Sequence, residues 1–216
     1  MGPEVTELEG KLAAIVGAGQ CVSCSSGTDA LLLGLMAKGV GPGDAILTTP
    51  FTFIATAEVI SLIGAVPVFV DKDPRTFNLD PESLGRALQT LSRSDSDLHP
   101  LPHQARKGQL TAKGVIVVDL FGLPADYPRI TALAAESGLF VMEDAAQSLG
   151  ASLSGVQARA KALGEIGATN FFPAKPLGGY GDGGQCSRTT LIWLRLCVPC
   201  VSMELAGKNT TTCASG

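Results

Sequence analysis

The 216-residue chain is short of charge: Asp, Glu, Lys and Arg make up 17% of it, below the roughly 25% usual for soluble domains. A basic surplus is also lacking. Lys and Arg total 16 against 20 acidic residues, a formal charge of −4, and a chain without a basic footprint is set aside as a nucleic-acid binder. No secretory leader opens it. MGPEVTELEG is polar and acidic, with neither a basic start nor an apolar run, which predicts a cytoplasmic protein. The 26 Gly and 13 Pro are ordinary totals for this length, so collagen-like and low-complexity readings fail. An unbroken membrane-length apolar run is missing as well. Ala45 to Val70 has Glu58 as its sole charge, but Pro50, Gly64, Pro67 and four Thr interrupt it, and it reads as strand, helix and strand within a core. No Gly-x-Gly-x-x-Gly follows a strand and no Walker loop occurs, which leaves the nucleotide folds unsupported. Six Cys without a leader read as free thiols rather than a disulfide framework.

What is present is an alternation of two periods in a length suited to one large domain or a domain and a half. Pro3 to Val16 is amphipathic, with Val5, Leu8, Leu12 and Ile15 on one face. Gly27 to Lys38 predicts a second helix, closed by the turn signal GVGPGD. A strand (Ala45 to Thr49), a helix (Thr52 to Leu62) and a strand (Val66 to Val70) follow, and Asp80-Pro81-Glu82 opens another helix with a cap and a first-turn proline. Ser92 to Lys113 is polar and reads as an exposed loop or insertion carrying His99 and His103. Val115 to Val118 predicts a buried strand, Asp126 to Ser137 a helix, and Leu139 to Met142 the next strand. Such alternation implies parallel strands in a doubly wound α/β sheet. From residue 187 onward the chain shows neither period and holds three of the six Cys, and it is expected to be an atypical, poorly ordered tail.

Three constellations could carry chemistry. Cys24-Ser25-Ser26-Gly27-Thr28-Asp29 leads directly into a helix, a junction that suits a phosphate, or one simply capped by Ser26 or Thr28. Val141-Met142-Glu143-Asp144 ends an apolar strand in two carboxylates, at the edge where open α/β sheets bind ligands. Asp144 could hold a cationic nitrogen there, or cap the next turn. Phe171-Phe172-Pro173-Ala174-Lys175 sets a lone Lys between aromatics and the glycine-dense run that ends at Gly184. Burial would disfavour its ammonium and make it nucleophilic, whereas a mobile loop would leave it solvated. Cys21-x-x-Cys24 and Cys197-x-x-Cys200 could be imagined as a zinc pair, but small packed residues are the simpler reading.

Taken together and in this order, these strings resemble the DegT/DnrJ/EryC1/StrS sugar aminotransferases, a family of fold-type I pyridoxal-phosphate enzymes. The likeness is carried by CVSCSSGTDALLLGLMAKGVGPGDAILTTPFTFIATAEVISLIGAVPVFVD, DPRTFNLDP, VDLFGLPADY, EDAAQSLGA and FFPAKPLGGYGDGG, and runs from Met1 to about Gln185. It implies a large-domain fold with a mostly parallel sheet flanked by helices, and pyridoxal 5′-phosphate as cofactor. Carried over by position, it implies that Lys175 forms the aldimine and shuttles the proton, that Asp144 pairs with the pyridinium nitrogen, and that Gln147 faces the phenolic oxygen. It further implies that Gly27 and Thr28 form the phosphate turn and that Phe53 stacks on the ring. Where the family commonly has Ser, five residues before the lysine, stands Asn170, kept as a phosphate donor because its amide can also donate.

The resemblance implies transamination of a nucleotide-linked keto sugar with glutamate as amino donor, in a homodimer. A dehydratase branch has His in place of the lysine, so Lys175 argues for the transaminase branch. Residues 1–186 are then a large domain that lacks the family's first segment and its C-terminal small domain, and 187–216 are expected to be out-of-frame translation. The alternative expectation is an inactive fragment that still binds the cofactor. A binding module unrelated to the cofactor is a third reading.

Overall fold

The structure, a computed structural model, describes residues 2–93, 98–103, 110–153, 156–157 and 164–188. Helix α1 (Pro3–Val16) starts on a proline and ends at Gly17, whose φ of 62° lets its N–H fold back on the last carbonyls. Strand β1 (Gln20–Cys24) leads into α2 (Gly27–Ala37), then β2 (Asp44–Thr48), α3 (Ala55–Leu62) and β3 (Val66–Phe69). Helix α4 (Pro81–Arg93) is capped by Asp80, whose carboxylate accepts from the N–H of Glu82 and Ser83. Strand β4 (Thr111–Val118), a single turn at Leu120–Gly122, α5 (Tyr127–Glu136) and β5 (Phe140–Asp144) follow. The short pair β6 (Ser152–Leu153) and β7 (Val156–Gln157) precedes β8 (Ile166–Asn170) and β9 (Gly184–Arg188).

Seven strands form one sheet in the order β1-β9-β8-β5-β4-β2-β3. Five of them, β3, β2, β4, β5 and β8, run parallel; β9 lies antiparallel between β8 and β1, so β1 points the same way as the five. The carboxyl ends of β1, β2, β4, β5 and β8 therefore share one edge, and the chain's direction of travel reverses between β2 and β4. Crevices at such reversals are where open α/β sheets take ligands.

Apolar side chains cover both faces. On one, Leu47, Val68, Val115, Val117 and Val141 pack under α4 and α5; on the other, Ile46, Ile116, Phe140 and Met142 pack under α2 and α3. Alternation along β5 then sends Asp144 to the α2/α3 face and Glu143 to the opposite one. Among the described residues no helix is long and apolar enough to cross a membrane.

Four expectations need correction. The face of α1 is rotated: Leu12 and Val16 are buried whereas Leu8 and Ile15 are exposed, because Glu9 anchors the helix by accepting from the N–H and hydroxyl of Ser23, each at 2.8 Å. His99 is buried rather than exposed. Its Nε2–H donates to the Phe69 carbonyl at 2.8 Å, on the open edge of β3, an acceptor that would otherwise lose its water. Strand β4 begins at Thr111, inside the stretch read as loop, and α4 extends to Arg93. Strand β9 runs through Ser187 and Arg188, two residues past the expected domain boundary; the expectation for 189–216, Cys197 and Cys200 included, lies outside the described residues.

Candidate cofactor site

A cavity of about 580 Å³ opens at the shared strand edge, on the α2/α3 side of the sheet. Gly27, Thr28, Phe53, Asp144, Gln147, Asn170 and Lys175 all line it, so the fold gathers the seven residues that the family resemblance assigns to the site. Each is delivered by a strand end or the turn after it: β1 leads to Gly27 and Thr28, β2 to Phe53, β5 to Asp144 and Gln147, and β8 to Asn170 and Lys175.

One end of the cavity is rich in donors. Ser26 caps α2, its Oγ accepting from Asp29 N–H at 3.0 Å and donating to the Asp29 carboxylate at 2.8 Å. The cap satisfies Asp29 and leaves the N–H groups of Gly27 and Thr28 without an intrahelical acceptor. Capping and anion binding are thus compatible at this turn. Asn170 adds to it. Its Oδ1 accepts from Phe172 N–H at 2.5 Å, which leaves the amide NH2 for the cavity. A Cβ on Gly27 would come within 2.6 Å of Asn170 Nδ2, and a Cβ on Gly184 within 2.1 Å of the Ser26 carbonyl oxygen. Two glycines therefore let helix end, amide and β9 close on one another.

The other end holds Asp144, which is buried. Thr56 Oγ1 donates to Oδ2 at 2.9 Å and Ala146 N–H to Oδ1 at 3.2 Å. Burial pushes the Asp144 carboxyl above its ordinary range, opposed by those two bonds and by the positive charge of Lys175. The turn-capping role and a role toward a ligand coexist here too. Thr56 was not singled out in the sequence. Its neighbour Thr52, 3.0 Å away Oγ1 to Oγ1 and just ahead of α3, is the visible signal: two hydroxyls four residues apart across a helix start.

Gln147 Oε1 accepts from Phe121 N–H at 2.8 Å, so this amide too presents its NH2 to the cavity. Lys175 is half-buried and Phe172 half-exposed, a looser setting than the flanking aromatics imply. The loop that carries the lysine is closed on itself by Lys175 N–H to Phe172 O at 2.8 Å and Gly179 N–H to Phe171 O at 2.7 Å. Its glycine density serves that closure: a Cβ on Gly178 would stand 2.4 Å from the Pro173 carbonyl. Phe53 sits at the mouth, 69% exposed. Away from the site, Cys21 is packed under α1, its thiol pushed up to about 12 by burial and by Glu9.

Donors at one end, a buried acid at the other and an amine on the wall between them form a site for a ligand with an anion at one end and a cationic nitrogen at the other. A model of the DegT/DnrJ/EryC1/StrS aminotransferase family matches residues 1–189. The chain belongs to that family. It is 49% identical over 184 residues to the UDP-2-acetamido-2-deoxy-3-oxo-D-glucuronate aminotransferase of Pseudomonas aeruginosa, a match that covers 85% of this chain and 45% of that protein. A DegT/DnrJ/EryC1/StrS aminotransferase structure from Brucella abortus superposes with a TM-score of 0.83 at 43% identity, covering 100% of this chain and 53% of the other. A structure of S. venezuelae DesV, solved in complex with a ketimine intermediate, superposes with a TM-score of 0.74 at 32% identity, covering 88% and 45%. The chain spans about half the length of the relatives it matches. The seven-stranded sheet with helices on both faces is the fold of these aminotransferases.

Proposed function

We propose that this chain binds pyridoxal 5′-phosphate and serves the transfer of an amino group, with glutamate as donor, to a keto sugar linked to a nucleotide. The observation that carries the reading is the polarity of one cavity: free helix-end amides and an Asn amide opposite a buried aspartate, with a lysine between. Gly27, Thr28 and Asn170 would hold the phosphate, Asp144 the ring nitrogen and Gln147 the phenolic oxygen, while Phe53 covers the ring face. Bound there, the cofactor supplies an electron sink for carbanion chemistry. The chain's own part is placement and proton transfer. Asp144, whose carboxylate form the bonds from Thr56 and Ala146 favour, would pair with a cationic nitrogen and keep it protonated. Lys175 Nζ would hold the cofactor covalently and, when free, would serve as the general base and acid that moves a proton to and from the substrate carbon, a role worth roughly 10²–10⁴ in rate.

Borohydride treatment of the cofactor-loaded chain followed by peptide mapping should tag Lys175, and Lys175→Ala should abolish both the tag and the visible band. A tag on another lysine, or none, overturns the reading. A second reading, a chain that holds the cofactor without turning it over, is favoured by one observation: Phe53, Phe121, Phe172 and Tyr180 stand exposed in the turns at the shared strand edge, uncovered by any other described residue. Adding glutamate separates the two, since turnover of the donor bleaches the band and mere holding preserves it.

A further inference from the structure

Among the described residues, two other than glycine have left-handed backbones, Phe77 at φ 63° and Phe121 at φ 56°. Bulky side chains disfavour that region, so each conformation is held by its surroundings. Backbone bonds close the turn that carries Phe77, from Phe77 N–H to the Asp73 carbonyl and from Asp73 N–H to the Asn78 carbonyl, each at 2.8 Å, and the side chain of Asn78 holds the turn of Phe121. Asn78, 2% exposed, follows Phe77 directly, and its amide spans the turn that carries Phe121: Oδ1 accepts from Leu120 N–H at 3.0 Å, and Nδ2 donates to the Leu123 carbonyl at 2.8 Å. Clamped at both ends, the turn aims Phe121 N–H at Gln147 Oε1, 2.8 Å away. Gly122, at φ 82°, lets the turn pass so close that a Cβ there would stand 3.0 Å from the Gln147 carbonyl oxygen.

We propose that Asn78 is a positioning residue of the cofactor site, acting through the turn 120–123 to hold the Gln147 amide with its NH2 toward the cavity. An amide has two faces of opposite polarity. Were Gln147 free to rotate, it would offer its oxygen to the cofactor's phenolic oxygen about as readily as its NH2, replacing a hydrogen bond by a repulsion. The Phe121 N–H occupies the oxygen and removes that choice. The role of Asn78 is therefore specific: it selects the orientation of a group in a different element, without itself lining the cavity. The inference rests on the reading of Gln147 as the partner of the phenolic oxygen.

The test uses the full chain loaded with pyridoxal 5′-phosphate and follows the visible band against pH, together with hydrogen exchange at the Phe121 amide. Loss of a donor to the phenolic oxygen makes that oxygen hold the proton it shares with Lys175 to higher pH. Asp144, Lys175 and Asp182, the titratable groups lining the cavity, and Asp119 and Glu143 behind Asp144, are unchanged in every variant. Asn78→Ala and Gln147→Leu are expected to raise the midpoint of the band by about half a pH unit or more, and to speed Phe121 exchange about tenfold. Phe121→Gly keeps the N–H and the left-handed φ, so its midpoint should stay at the wild-type value. An Asn78→Ala protein that melts earlier but keeps the wild-type midpoint and exchange rate overturns the inference. Should Asn78→Ala not fold, Gly122→Ala displaces the turn from Gln147 by another route, and an unchanged midpoint there overturns it equally. A wild-type chain that shows no visible band fails the parent reading and takes this one with it. A normal band that no variant shifts fails only this one.

Discussion

Burial pulls Asp144 toward the neutral acid, while Thr56, Ala146 and the Lys175 ammonium pull it back. Replacing Thr56 by Val keeps the shape and deletes the donor. A hydrogen bond to a carboxylate is worth about 1.5–3 kcal/mol, so Thr56→Val should lose about that much stability near pH 8 by urea unfolding. The sign follows from the raised carboxyl: what it contributes is present below the ordinary range and lost as pH rises through the folded value. The variant raises that value further. The deficit should therefore shrink toward pH 4, and an equal deficit at both pH values would refute the role. At the other end of the cavity, Gly27→Ala presses a methyl group against Asn170. Cofactor affinity by titration of the visible band is expected to fall about tenfold, which is about 1.4 kcal/mol.

At the scale of the element, the end of β4 carries a buried acid that the proposed chemistry does not use. Asp119 accepts from Ala125 N–H at 3.1 Å, Tyr127 O–H at 3.0 Å and Ser148 O–H at 2.8 Å, with the Glu143 carboxyl a further partner. Burial outweighs these bonds and pushes its carboxyl from 3.8 up to about 6. Stability stored in the neutral acid is then lost as pH rises from about 4 through 6, by at most about 3 kcal/mol. Asp119→Asn should flatten that part of the curve of stability against pH. Thermal melts from pH 4 to 8 would show it, and a variant with the wild-type slope would place the buried proton elsewhere.

The elements that the sequence announces are those with unbroken apolar strands or capped helices: Val115 to Val118, Phe140 to Met142, and the helices opened by Ser26, Asp80 and Asp126. Strands β1, β8 and β9 carry no such mark. Their buried positions include Gln185 and Ser187, polar groups that gain partners only from strands far away in sequence, as when Gln185 Nε2 donates to Cys21 Sγ. The seven candidate site residues were legible because family strings fix their positions. Thr56, Asn78 and Asp119 were not, since each acts through a neighbour that only the folded sheet supplies.

For the molecule as a whole, the rim at the shared strand edge carries exposed apolar side chains in the turns after β2, β4 and β8: Phe53 is 69% exposed, Ile54 66%, Phe121 75% and Tyr180 fully so. Large apolar side chains exposed together mark an interaction site. The chain alone, 22.1 kDa, is expected to self-associate through it. Light scattering should report a mass above that of one chain, and Ile54→Lys with Tyr180→Asp should return it to one; a monomer in both proteins would refute the rim as an interface.

The placement of β9 between β8 and β1 has a temporal consequence. Among the described strands, β1 is bonded only to β9, so the cavity-facing start of α2 is moored to a segment made some 160 residues later. During synthesis the ribosome must release nearly all of this region before the earliest strand finds its neighbour. Until then Gly27 and Thr28 have no wall behind them, and the cofactor would act as a late staple that fastens the first part of the chain to the last.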